Sequence, residues 1–185
     1  MRRAILGLAT AALALSPAAA LAQTPAAEFF TRLSALCGQT FKGEVAAGNE
    51  GDQAFRDADL IMTVASCTPT EIRIPFHVGE DRSRTWVVSR LGEDRLRLKH
   101  DHRHEDGTED ELSQYGGDTV DDGTAERQAF PADAYSIDLF TRTDRAVSNT
   151  NVWAIEVNDE TYVYELSRPG RLFRVAFDLT APVAP

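Results

Sequence analysis

Cysteine is scarce in this chain: the 185 residues hold two, Cys37 and Cys67. They do not form a C-x-x-C pair, so a reactive dithiol site has no motif to rest on. Nucleophile and phosphate signatures are missing too. There is no G-x-S-x-G, no phosphate loop and no H-E-x-x-H. Positive charge is in deficit, with 19 Lys and Arg against 29 Asp and Glu, a formal net charge of −10. That balance disfavours phosphate backbones and anionic lipid, so no nucleic-acid partner is expected, and the acidity serves solubility. Beyond the first residues no apolar run approaches the roughly 20 residues a bilayer span needs, so no membrane span is expected after them.

What is present begins with a targeting pattern. Arg2 and Arg3 precede a small and apolar run from Ala4 to Leu15, and Ala20-Leu21-Ala22 ends the stretch. A positive start, an apolar middle and small residues at the minus-three and minus-one positions read as a secretory signal peptide over residues 1–22, cleaved before Gln23. No cysteine stands at that junction to carry a lipid. The expected location is periplasmic or secreted, and residues 23–185 are expected to form one domain. Loss of Arg2 and Arg3 takes the net charge from −10 to −12. In an oxidising compartment Cys37 and Cys67 are expected to pair as a structural disulfide. Closing that loop contributes roughly 3–4 kcal/mol on the chain-entropy model.

Periodicity changes once along the chain. Phe29, Phe30, Leu33, Leu36 and Cys37 follow helical spacing, which predicts a short helix over Ala26–Cys37. From Gln39 onward the alternation has period two. It predicts strands near Gln39–Ala47, Asp59–Ser66, Thr70–Val78, Thr85–Leu91, Arg95–Glu105, Ala125–Phe130, Asn151–Val157, Tyr162–Ser167 and Arg171–Leu179. Tight turns separate them at Gly79-Glu80-Asp81, Gly92-Glu93-Asp94, Asn158-Asp159 and Pro169-Gly170. A small helix is expected after Phe130, over Pro131–Thr141. The acidic, glycine-rich stretch Glu105–Gly123 reads mostly as loop. Sequential strands on short turns form a meander. The expected fold is all-β, an antiparallel up-and-down barrel of about eight to nine strands, with a two-layer sandwich as competitor.

Three of the four histidines sit at alternating positions, His100, His102 and His104. On the predicted strand Leu96, Leu98, His100, His102 and His104 share one face. Arg95, Arg97, Lys99, Asp101, Arg103 and Glu105 share the other, which is expected to meet solvent. A leucine-lined wall thus turns imidazole-rich. Three readings follow. The histidines line a cavity and hydrogen-bond a small-molecule ligand, with no cofactor needed. Or a neighbouring pair holds one divalent transition metal; the rings lie about 7 Å apart along a strand, the outer two about 13 Å, so a third ligand must come from elsewhere. Or the strand stops near Lys99 and the rings are solvated. The remaining histidine, His77, reads as a surface residue.

Tyr115 precedes Gly116-Gly117-Asp118, a tight turn placed to close over the histidine end. Tyr162 and Tyr164 alternate on a strand and need hydroxyl partners if buried, so they join the candidates for ligand contact. The acidic run Glu105–Glu111 lacks the alternating oxygen ligands of an EF-hand loop and reads as solvated. Asp81-Arg82-Ser83-Arg84 is a charged hairpin tip with no assigned chemistry.

His102-x-His104, with Glu109 and Gly116 following, resembles half of the first cupin motif. That resemblance implies a metal held by His102, His104 and Glu109 in a metal-dependent enzyme. The motif's leading glycine is Leu96 here, and no later histidine supplies its usual last ligand. Glu71–Trp86, Leu98–Gly107 and Tyr164–Arg168 resemble a group of uncharacterised secreted proteobacterial proteins, which implies no activity. The strand layout resembles calycins, the barrels of lipocalins and fatty-acid carriers, which implies an enclosed small ligand. Gly38-Gln39-Thr40-Phe41 replaces the lipocalin G-x-W. The first expectation is a small-molecule-binding protein with His100, His102, His104, Tyr115, Tyr162 and Tyr164 around its cavity. The alternative is the cupin-like enzyme.

Overall fold

A computed structural model describes residues 23–184. The signal-peptide reading falls on residues 1–22, outside the described residues. Helix α1 (Pro25–Ser34) opens the chain, capped by the Thr24 hydroxyl, which accepts from the Ala27 N–H. Pro25 suits its first turn, where no amide partner is needed. Eleven strands then form one antiparallel sheet. They are β1 (Thr40–Ala47), β2 (Leu60–Thr63), β3 (Ser66–Cys67), β4 (Glu71–Val78), β5 (Asp81–Arg90), β6 (Leu96–His102), β7 (Tyr115–Asp118), β8 (Arg127–Pro131), β9 (Val152–Val157), β10 (Thr161–Arg168) and β11 (Arg171–Asp178). A 3-10 turn (Glu50–Asp52) and helix α2 (Gln53–Arg56) follow β1, and helix α3 (Ala134–Arg142) follows β8.

The sheet runs β7-β6-β5-β4-β2-β1-β11-β10-β9-β8, with β3 paired beside β2 on β4. Its two ends, β7 and β8, are consecutive in sequence, so the meander curls into a nearly closed barrel with one seam. This is the expected all-β class, and its layout is compatible with a calycin-like barrel. Every strand read from periodicity is present. β3 and β7 are additional. β7 was expected to be loop, because Tyr115-Gly116-Gly117-Asp118 has almost no β propensity. Pairing with β6 imposes the extended backbone there, and tertiary context overrides propensity. β5 also begins four residues earlier than the alternation suggests, since the β4–β5 hairpin turns at Gly79 and its register shifts between Phe76 and Val78.

No ladder joins β7 to β8 among the described residues. The seam is closed by other means. The Asp133 N–H donates to the Gly116 carbonyl at 2.9 Å. The Gly116 N–H donates to the buried Ser136 hydroxyl at 2.7 Å. Asp133 also caps α3 and pairs with Lys99 at 2.5 Å. An edge strand that would otherwise present bare amides is thereby satisfied. The approach is close: a Cβ on Gly117 would lie 1.7 Å from the Pro131 carbonyl oxygen, and one on Gly116 1.9 Å from that of Leu98.

The barrel's two ends differ. At one end α1 plugs the bore with Phe29, Phe30 and Leu33, all buried. It is tied to the turns there, Thr24 to the Glu93 carbonyl and Arg32 to Asp159. Cys37, just past α1, is bonded to Cys67 on β3, as expected. Between the ends runs a packed core including Phe41, Met62, Ile74, Leu98, Tyr162 and Phe177. On the outer wall of β8–β11, Arg127 and Arg174 each pair with both Glu156 and Glu165, a four-membered network.

Two stability outcomes follow. Gly117→Ala forces backbone apart at the seam and is expected to cost about 3 kcal/mol, read by urea unfolding. The Tyr162 hydroxyl is fully buried with no hydrogen-bond partner among the described residues. Tyr162→Phe removes an unsatisfied group at nearly constant shape, so its melting temperature should match or exceed that of the parent.

Candidate functional site

The end opposite α1 is hollow. A cavity of about 160 Å³ is lined by Trp86 and Arg84 of β5, His100 and His102 of β6, Tyr115 of β7 and Tyr164 of β10, among others. Its floor is a stack. Trp86 lies against Phe76 at 4.6 Å and against Tyr164 at 4.4 Å, nearly parallel to both. Such offset aromatic contacts add to simple burial. The α2 segment supplies one wall: Phe55 sits 5.0 Å from Phe173, and Asp52 holds Arg171 through both carboxylate oxygens.

The alternation on β6 continues inward from Leu96 and Leu98 through His100 to His102. His100 is 2 % exposed. Its Nδ1 lies 3.1 Å from the Tyr115 carbonyl and its Nε2 2.8 Å from the Tyr164 hydroxyl. A carbonyl only accepts, so Nδ1 carries the proton and Tyr164 donates to Nε2. The Tyr115 ring stacks on the same imidazole at 4.5 Å. Burial pushes the His100 pKa down to about 3, against the opposing effect of the Tyr115 carbonyl. His100 is therefore neutral at physiological pH and poorly matched to general-base work near pH 7. His102 is half-buried; its Nε2 lies 3.3 Å from the Tyr115 hydroxyl, and burial and Arg84 lower its pKa. Burial raises both lining phenols, Tyr115 to about 12, so both stay protonated.

His104 lies elsewhere. β6 ends at His102, and a turn closed by the Gly107 N–H on the His104 carbonyl carries His104 into solvent, its side chain 57 % exposed and 3.8 Å from Asp110. Glu109 is engaged by Arg103 and Gln114. His102, His104 and Glu109 are thus not brought together, and among the described residues no three His, Cys, Asp or Glu side chains share metal-ligand spacing. Tyr162 does not line the cavity; it packs below Trp86 against Phe177. His77 is partly exposed on the outer wall. The outer face of β6 departs from expectation at Asp101, whose side chain is only 7 % exposed. Arg73, Arg103 and Gln114 bond its two oxygens, which satisfies the charge that burial would otherwise penalise.

The arginines at this end were not anticipated. Three inward-facing alternations share one ending: Val88-Trp86-Arg84, Tyr162-Tyr164-Leu166-Arg168 and Phe177-Val175-Phe173-Arg171. The signal was in the letters, but only closure of the sheet brings the three ends to one rim.

The electrostatics carry a pH dependence. The unfolded imidazole of His100 takes up a proton below about pH 6.5, while the folded one resists until about pH 3. Its contribution to stability is complete above pH 6.5 and is lost as pH falls toward 3, by roughly 1.4 kcal/mol per pH unit. His102 adds in the same direction. The stability advantage of the parent over His100→Gln is expected to shrink between pH 7 and pH 4 in denaturant titrations. Parallel pH profiles would contradict burial of a neutral ring.

No protein-family profile, no curated protein and no solved structure matches this chain, so its function rests on the geometry above.

Proposed function

We propose that this protein binds a small molecule in the aromatic cavity at the open end of its barrel, outside the cytoplasm. The observation that carries the reading is the neutral His100, fixed by Tyr115 and Tyr164 at the inner wall of a hollow that the rest of the core does not fill. Preformed, mostly apolar cavities with a few oriented polar groups are the usual form of ligand sites. The cavity volume is comparable to that of an engineered cavity known to admit benzene, roughly 150 Å³. Tyr164 donates its proton to His100, so toward a ligand its oxygen can act only as an acceptor. His100, His102, Tyr115 and Tyr164 are the ligand-contacting set. The Cys37–Cys67 bond fits an oxidising compartment, periplasmic or extracellular, and no helix of the described residues is long and apolar enough to cross a membrane.

Binding of 4-methylphenol tests this. Its ring is of the size the cavity admits, and its hydroxyl can donate to Tyr164. Titration is expected to perturb tryptophan emission and the NMR signals of Trp86, His102, Tyr115 and Tyr164. Leu166→Trp fills the cavity and should abolish those changes while the protein stays folded. Unchanged spectra in the parent, or undiminished binding in Leu166→Trp, would overturn the proposal.

A further inference from the structure

The chain is strongly acidic, yet the rim of the cavity gathers arginines. Above the aromatic floor a wider vestibule of about 450 Å³ shares Arg84, His102, Tyr115, Tyr164 and Leu166 with the inner cavity. Arg145 and Arg168 join Arg84 in lining it. Arg171 stands at the inner cavity wall, its Cα paired with that of Arg168 across β10 and β11. Among the carboxylates at this end, Asp110 lines the same vestibule, 3.8 Å from His104; Asp52 is bound to Arg171 and Asp81 to Arg84; and Glu80 and Glu105 lie beside Asp81 and His104. Arg145 and Arg168 have no carboxylate partner among the described residues. Arg168 donates to the Asn151 side chain at 3.1 Å and Arg145 to the Thr143 carbonyl at 2.7 Å. Both are met only by neutral acceptors, while most other arginines among the described residues sit in ion pairs.

We infer that the ligand is a small organic carboxylate. Its anionic group is held at the rim by Arg168 and Arg145, and its ring- or short-alkyl-sized body descends onto Trp86 and Tyr164. This rests on the cavity being a binding site and specifies what the site takes. Each guanidinium presents a planar fork of donors that matches a carboxylate; Arg168 is partly enclosed, which strengthens its attraction, while Arg145 is exposed at the outer lip. Arg168 stands half-buried at the end of an inward alternation, where a charge met only by a neutral amide oxygen is poorly compensated and suits an anionic partner. Three arginines against one lining carboxylate, Asp110, give the vestibule a positive balance on an otherwise negative protein, which draws anions to the open end of the bore.

The test compares 4-phenylbutyrate with its neutral amide, 4-phenylbutanamide, by tryptophan fluorescence on the full mature chain, with phenyl phosphate and inorganic phosphate as further probes. The carboxylate is expected to bind at least tenfold tighter than the amide and to weaken with salt. Arg168→Gln with Arg145→Gln should remove that difference and the salt dependence, weakening the carboxylate by far more than the amide. Equal affinity for acid and amide, with both bound, overturns the anionic rim and leaves the cavity standing. Tighter binding of phenyl phosphate than of the carboxylate, or binding of inorganic phosphate alone, overturns the carboxylate assignment. Failure of every probe to bind overturns both readings.

Discussion

The structure depends on how a curled sheet closes without a final ladder. β7 is four residues long and contains two consecutive glycines, so apart from Tyr115 it contributes little side-chain packing. What it offers is closeness. At Gly117 the absence of a side chain lets the Pro131 carbonyl lie where a Cβ would be. At Gly116 both main-chain polar groups are satisfied from the start of α3, by Asp133 and Ser136. A seam of this kind seals the barrel by fitting backbone to backbone, and any added atom acts against it directly.

Closure has a chemical consequence one residue away. The same short strand carries Tyr115, whose carbonyl accepts from His100 and whose ring covers it. The tautomer of His100, its neutrality and the orientation of the Tyr164 hydroxyl all follow from that placement. A buried imidazole with both nitrogens satisfied is a fixed polar marker rather than a titrating switch near neutrality. His102, one pleat higher and less enclosed, marks the transition from fixed wall to open vestibule.

The asymmetry between the ends explains why the bore is hollow at one and solid at the other. Helix α1 brings three large side chains into the lower end, while the upper end receives Phe55 from the short α2 segment at one side and Phe140 from α3 at the other. There the inward positions become His102, Arg84, Arg168 and Arg171, which cannot collapse into an apolar core without losing hydration or partners. Arginines and imidazole therefore hold the upper end open, and the stacked Phe76, Trp86 and Tyr164 set its depth.

Period-two alternation, explicit turn residues and an isolated helical stretch determined the strands, the helix at the start and the all-β class, because these depend on neighbours within a few residues. The inward course of Leu96, Leu98, His100 and His102 was legible for the same reason. His104 was not, because the point where a strand gives way to a turn depends on its partner strand as much as on its own pleat. β7 was hidden because glycine carries no strand signal and only an adjacent edge could extend it. The buried position of Asp101 depends on Arg73, 28 residues away, and the hydrogen bond that fixes His100 depends on Tyr164, 64 residues away. The arginine rim combines three alternations visible separately in the letters. Only the curvature of the closed sheet, which no local pattern encodes, brings their ends to one mouth.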